Sequence, residues 1–262
     1  MSERITSLSN PLIKQARALR QRKARVESGL FLVEGIHHVG EVFEAGWDIR
    51  SVLYAPELLT SGFAKDLIPK LDSKQIHAQA VSSSVMESLA DKDNPQGILA
   101  LVSQRTSTIS ALSIADISSA VALVSPQDPG NVGSILRTMD AVNVDALFLL
   151  DGGVDMYHPS VVRASMGTLF WKPVIIGAFD EFVTWANQNH VQLIGASAHA
   201  DMGYREAKPS KPWALVLGSE QKGLSSAHLA ACDLSVSLPM RGRASSLNLS
   251  VAAGVLLYQF GM

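Results

Sequence analysis

The sequence has a single cysteine, Cys232, which excludes an internal disulfide framework, a CxxC redox pair and a cysteine-rich zinc site. A reducing, cytoplasmic setting is expected. No apolar run approaches the ~20 residues that cross a bilayer, and the N-terminus lacks the charged-then-apolar pattern of a secretory signal. Neither membrane insertion nor secretion is expected. Familiar nucleotide and hydrolase signatures are also missing. No Gly-x-Gly-x-x-Gly follows a strand, and Gly218 to Ser225 has the spacing of a phosphate loop but carries Leu224 where the lysine must stand. There is no Gly-x-Ser-x-Gly elbow, and the seven histidines show no metal-ligand spacing, so no metal is expected. With 18% charged and 47% hydrophobic residues in a chain of 262, what remains is a folded protein with a sizeable core.

The net charge of −2 argues at first against a nucleic-acid partner, since phosphate binding draws on Lys and Arg. The average hides an asymmetry. Residues 1–25 carry seven basic side chains (Arg4, Lys14, Arg17, Arg20, Arg22, Lys23, Arg25) against the one acid Glu3. Asn10 and Pro11 are a capping residue and a first-turn proline, predicting one helix to about Arg25. Its cations cover more than one face, which fits a surface helix with an electrostatic partner or simply a solvated one.

Beyond it, apolar runs at 30–33, 52–54 and 97–102 alternate with helical stretches at 35–45 and 83–90, giving a small α/β domain over residues 1–102. Residues 103–119 are rich in Ser and Thr and read as a linker. A second α/β series fills 120–262. Strands are expected at 120–125, 145–150, 173–177, 191–197, 213–217 and 234–238, and helices at 130–141, 159–167, 179–189 and 246–260. Apolar strands alternating with helices imply a mostly parallel sheet covered on both faces.

Three Gly-rich turns each follow an apolar strand, where open α/β sheets place their ligands. They contain Asn131-Val-Gly-Ser-Ile-Leu-Arg137-Thr, Leu217-Gly-Ser-Glu220-Gln-Lys-Gly-Leu-Ser225, and Leu238-Pro-Met-Arg-Gly through Ser245-Ser246-Leu-Asn248-Leu-Ser-Val-Ala-Ala-Gly254. In this order they resemble the three motifs of the SpoU (TrmH-like) RNA ribose 2′-O-methyltransferases of the SPOUT superfamily. Ser9 to Lys14, Phe31 to Gly35 and Asn94 to Gly97 resemble the substrate-binding domain that precedes the catalytic domain in many of these enzymes.

The resemblance implies a deep trefoil knot in the C-terminal SPOUT domain and S-adenosylmethionine held by Gly218, Leu238, Met240 and Leu247. Glycine admits close backbone approach, and the apolar positions can wall an adenine. It also makes Arg137 the catalytic arginine, with Asn131, Glu220, Ser246 and Asn248 as the other polar site residues. A guanidinium is not normally deprotonated, so Arg137 is better suited to clamp a phosphate and steady a forming alkoxide than to act as base. Glu220 is expected to fix Arg137 or a substrate hydroxyl, and Ser245 or Ser246 to cap the last helix. Arg241 and Arg243 are expected to contact substrate phosphate. His37, His38, His158, His199 and the four tryptophans, Trp47, Trp171, Trp185 and Trp213, read as surface or packing residues. The expected partners are RNA, with ribosomal RNA favoured over transfer RNA, and a second copy of the chain as a homodimer. The competing readings are a noncatalytic RNA-binding or ribosome-assembly protein of the same fold and a SPOUT enzyme that methylates a base.

Overall fold

The computed structural model describes residues 4–90 and 96–261. It divides into two compact units, one of Met1–Arg105 with Tyr157–Phe170, the other of Thr106–Met156 with Trp171–Met262. Asn94 and Pro95 of the Asn94 to Gly97 motif lie outside the described residues.

In chain order the first unit holds α1 (Pro11–Ala18), α2 (Arg22–Ser28), β1 (Leu30–Glu34), α3 (Ile36–Glu44), β2 (Ile49–Tyr54), α4 (Gly62–Ser73), β3 (Ala78–Ala80), α5 (Ser83–Leu89) and β4 (Ile98–Ser103). The strands form one sheet in the order β1-β4-β2-β3, antiparallel except for the β2–β3 pair. Alternation of side chains along a strand gives this sheet two buried faces. Leu32, Leu53, Leu99 and Leu101 pack with Ile13, Ala16 and Leu19 of the α1 segment. Phe31 instead meets Tyr157 with ring centroids 4.4 Å apart, in an aromatic group completed by Trp47 and Phe170. The Trp47 indole donates to the Phe170 carbonyl at 3.0 Å.

The single basic helix expected over 11–25 is two helices in the structure. Asn10 caps α1 as expected, accepting from the Leu12 N–H at 2.9 Å. The chain then turns at Leu19–Gln21, and Arg25, 1% exposed, reaches back from α2. Its Nη1 donates to the carbonyls of Leu19 and Arg20, both at 2.8 Å, satisfying acceptors that the end of α1 leaves open. Arg20 Nη2 donates to the carbonyls of Leu89 and Ala90, Arg17 reaches Ser88, and Arg4 pairs with Glu57. Much of the cationic segment therefore holds the unit together, while Lys14 and Arg22 make no such contact among the described residues.

The second unit opens with β5 (Ser107–Thr108), β6 (Ser119–Val124), α6 (Pro129–Ala141) and β7 (Ala146–Leu150). Next in the chain comes α7 (Pro159–Ala164), which packs with the first unit. The second unit continues with β8 (Val174–Gly177), α8 (Phe179–Gln188), β9 (Gln192–Ala196), β10 (Met202–Gly203), β11 (Trp213–Leu217), α9 (Ser226–Ala230), β12 (Leu234–Ser237) and α10 (Leu249–Gly261). Eight strands form a parallel sheet in the order β10-β12-β9-β11-β6-β7-β8-β5. Every residue of β6 and β7 is buried, as a parallel sheet covered on both faces requires. On one face Ala120, Ala122 and Phe148 pack under Phe182 and Trp185 of α8.

Of residues 103–119, read as linker from composition, 103–105 fall in the first unit and 106–119 belong to this core. β5 pairs with β8, and Ile109 and Ile117 are buried. Asp145 Oδ2 accepts from the backbone N–H and the hydroxyl of both Ser118 and Ser119 at 2.9–3.0 Å, which anchors the start of β6. Burial works to raise the Asp145 pKa, but those bonds outweigh it and hold the carboxyl below its ordinary value.

The Arg25 contacts generate a direct test. Replacing Arg25 with Met leaves the buried Leu19 carbonyl and the part-buried Arg20 carbonyl without this donor and should cost about 1–3 kcal/mol, seen as a lower urea midpoint. An unchanged midpoint would show that the guanidinium is not needed there.

Candidate active site

The site lies at the carboxyl ends of β6, β9, β11 and β12 and is built from the turns that leave them. After β6 the chain runs through Ser125 to Asp128, whose carboxylate caps α6 by accepting from the Gly130 N–H at 2.6 Å, with Pro129 in the first turn. Asn131 follows inside α6, 6% exposed. After β11 the chain makes a tight turn in which Ser219 and Gly223 form an isolated bridge. Only glycine fits at 218, because a Cβ there would lie 2.0 Å from the Gly223 carbonyl carbon. That turn brings Glu220 to the start of α6.

Glu220 Oε2 accepts from the Gln127 N–H at 2.9 Å, and Oε1 accepts from the Asp128 N–H at 3.1 Å and from Asn131 Nδ2 at 2.9 Å. An ionised carboxylate only accepts, so Asn131 must present its NH₂ to Glu220 and its oxygen elsewhere. That oxygen takes Asn248 Nδ2 at 2.9 Å. Asn248 Oδ1 in turn accepts from the Ser250 and Val251 N–H groups at 2.9 and 3.4 Å and from the Ser250 hydroxyl at 2.7 Å. Asn248 is thus the cap of α10, which begins at Leu249. The expected cap at Ser245 or Ser246 is displaced because the residue reaching the first-turn N–H groups comes later. A directional chain of hydrogen bonds joins all three Gly-rich segments. Burial pushes the Glu220 pKa up, but the bonds from Asn131, Gln127 and Asp128 prevail and hold it below its ordinary value.

Beside this chain lies an open cavity of about 400 Å³. Leu217, Leu238, Met240, Leu247 and Leu249 supply its apolar lining, Gly218, Ser219 and Gly223 its turn backbone, and Glu220, Ser245 and Ser246 its polar groups. All four residues expected to hold a cofactor line it. Its size and composition are those of a small-molecule site, and its apolar walls and close backbone suit an adenine ring. The loop after β9, Ser197 to His199, also contributes, as does Lys222. Strand-end position was the only sequence signal for that loop, and it pointed equally to several other turns.

Arg137 stands apart. It lies six residues after Asn131 on α6, ~9 Å along the helix axis, with an exposed side chain and no hydrogen bond or ion pair to another described residue. Glu220 does not hold Arg137; its hydrogen bonds run to Asn131 of α6 and to the backbone of Gln127 and Asp128. Ser246 is exposed at the cavity, and no bond links it to Arg137. Arg241 and Arg243 are exposed on the loop between β12 and α10. His158 caps α7, accepting at Nδ1 from the Ser160 N–H at 3.1 Å. Trp185 and Trp213 are buried in the second unit, and Trp171 is exposed. Among the described residues no group of three or more His, Cys, Asp and Glu is placed to hold a metal ion.

Residues 118–258 match the model of the SpoU rRNA methylase family, and residues 10–100 match the MRM3-like substrate-binding domain. The chain belongs to the SpoU rRNA methylase family. It is 31% identical over 265 residues to the 23S rRNA (uridine(2479)-2′-O)-methyltransferase of Streptomyces viridochromogenes, covering 98% of this chain and 91% of that one. It is 28% identical over 256 residues to the 23S rRNA (guanosine(2553)-2′-O)-methyltransferase RlmP of Bacillus subtilis, covering 98% of both. Its fold superposes on the crystal structure of an AdoMet-bound rRNA methyltransferase from Sinorhizobium meliloti with a TM-score of 0.89 at 31% identity, covering 98% of this chain and 96% of that one. The α/β architecture with its mostly parallel sheet is that of the SPOUT methyltransferases.

The low pKa of Glu220 sets an acid limit on this SpoU-family site. A carboxylate whose folded pKa is depressed contributes stability that is fully present above its ordinary value, 4.5, and is lost as pH falls through the folded value. Urea unfolding of wild type and Glu220→Gln should therefore differ by a constant amount above about pH 5 and converge below it. A gap that stays constant down to about pH 3 would contradict the assignment.

Proposed function

We propose that the chain is an S-adenosylmethionine-dependent RNA ribose 2′-O-methyltransferase that acts on ribosomal RNA in the cytoplasm. The observation that carries this reading is the junction of the three Gly-rich segments beside one cavity, with a cation, Arg137, left uncommitted on the helix they share. The named rRNA methyltransferases that align over nearly the whole chain support the choice of reaction and of RNA.

When bound, S-adenosylmethionine supplies an electrophilic methyl group on a sulfonium. The chain's own residues have three tasks. Gly218, Leu238, Met240 and Leu247 take the adenosyl portion between turn backbone and apolar side chains. Asn131, Glu220 and Asn248 hold the turns in register, so the cavity keeps its shape without reorganising during the reaction. Arg137 clamps the phosphate beside the target ribose and steadies negative charge forming on the 2′-oxygen, while the proton leaves to phosphate or water. Ser246, at the cavity edge, contacts the ribose, and Arg241 and Arg243 contact neighbouring phosphates. The trefoil knot implied by the motifs belongs to this reading, with the turns after β11 and β12 as the segments that enclose the cofactor.

The first unit is proposed to bind the RNA, with Lys14 and Arg22 among its backbone contacts. The homodimer is also part of the proposal. Val251, Val255 and Tyr258 are 51%, 38% and 49% exposed and recur along one stripe of α10, an apolar face that a second copy can bury. No described helix is long and apolar enough to cross a membrane.

Arg137→Ala should lower methyl transfer to ribosomal RNA by at least about 100-fold while leaving cofactor and RNA affinity near wild type. Retained transfer would remove Arg137 from the chemistry, and an inactive wild type that still binds RNA would favour the noncatalytic alternative. Sedimentation of Val251→Glu should show a monomer where the wild type is a dimer; identical sedimentation would exclude this face.

A further inference from the structure

The first unit contains a cavity of its own, about 120 Å³ in volume. A water needs roughly 10–15 Å³ of such space, so the cavity holds on the order of ten non-hydrogen atoms, the size of one nucleobase. Its walls are aliphatic, from Leu32, Leu89, Leu99 and Val162, and its polar side chains are Arg20, Glu34, His38, Gln96 and Arg163.

The donor groups are held in place before any ligand arrives. Gln96 Oε1 accepts from the Ile36 N–H at 2.9 Å, which leaves Nε2 as the donor end of the amide. The approach is possible because Gly35, at φ +100°, has no Cβ; one there would lie 2.8 Å from that oxygen. The Arg20 guanidinium is pinned at Nη2 by the carbonyls of Leu89 and Ala90. An amide donor and the Arg20 guanidinium at an aliphatic slot complement a flat ring with acceptors on its edge. Unpaired RNA bases have that form, and proteins read them by burying the splayed ring and bonding its edge.

We infer that this cavity takes one unpaired, carbonyl-bearing base of the RNA substrate, uracil or guanine, with Gln96 and Arg20 donating to its edge. The inference rests on the RNA methyltransferase reading and adds to it a substrate subsite in the first unit.

Two variants of the full chain test it. Gln96→Glu keeps an acceptor for the Ile36 N–H but removes the donor, and Val162→Trp fills the slot. With ribosomal RNA from cells lacking the gene, each should raise the KM for RNA at least about tenfold, with kcat and S-adenosylmethionine affinity within about twofold of wild type. In the labelled wild-type protein, uridine 5′-monophosphate should shift the Gln96 side-chain amide resonances, whereas adenosine 5′-monophosphate and inorganic phosphate should not. Unchanged KM in both folded variants, alongside active wild type, overturns the subsite and leaves the methyltransferase reading intact. A shift with inorganic phosphate alone overturns it in favour of a phosphate site. A wild type that binds the cofactor but methylates no RNA removes both.

Discussion

The second unit depends on one short run of hydrogen bonds, from Glu220 through Asn131 to Asn248. These residues lie 89 and 117 positions apart in the chain, and nothing local brings them together. Each link sets the orientation of the next, because the carboxylate admits only donors and each amide has one donor end and one acceptor end. Asn131, the buried member, is stabilising in such a network only because its amide oxygen and nitrogen are both satisfied. Here the last acceptor, Asn248 Oδ1, is satisfied by the first turn of α10, so the same bonds that join the turns also start the final helix.

This arrangement separates side chains that hold the turns from one that is left uncommitted. Glu220, Asn131 and Asn248 spend their polar atoms on one another and on backbone, which makes them positioning residues. Arg137 spends none, and it projects from the helix whose start they fix. The turns themselves sit beyond the carboxyl ends of parallel strands, the usual ligand position in open α/β sheets. The absence of a side chain at Gly218 lets the turn after β11 close on itself and deliver Glu220 to α6. Cavity, helix cap and the position of Arg137 are consequences of the same joining of three segments.

Periodicity and turn composition made much of the fold legible. β11 occupies 213–217 as read, and β6, β7, β8, β9 and β12 fall within one or two residues of their expected places. These are long apolar runs bounded by breakers, where local pattern and tertiary burial agree. The failures lie where distant contacts decide. The basic segment reads as one surface helix because charge is visible in sequence, whereas the burial of Arg25 against the end of α1 is not. Residues 103–119 have the composition of a linker, yet the burial of Ile109 and Ile117 fixes 106–119 to the core. The site residues were legible as a set through their motifs. Their bonding was not, since a carboxylate after a strand can as easily meet an arginine as an asparagine, and only the turn at Gly218 selects between them.

The central claim is that the bonds through Asn131 shape the cofactor cavity, and calorimetric titration with S-adenosylmethionine of wild type and Asn131→Ala tests it most directly. Wild type should bind one cofactor per chain, and the folded variant should bind at least about tenfold more weakly, a loss of about 1.4 kcal/mol. Equal affinity in the two proteins would contradict the claim, since the cavity would then hold its shape without the link that joins its three segments.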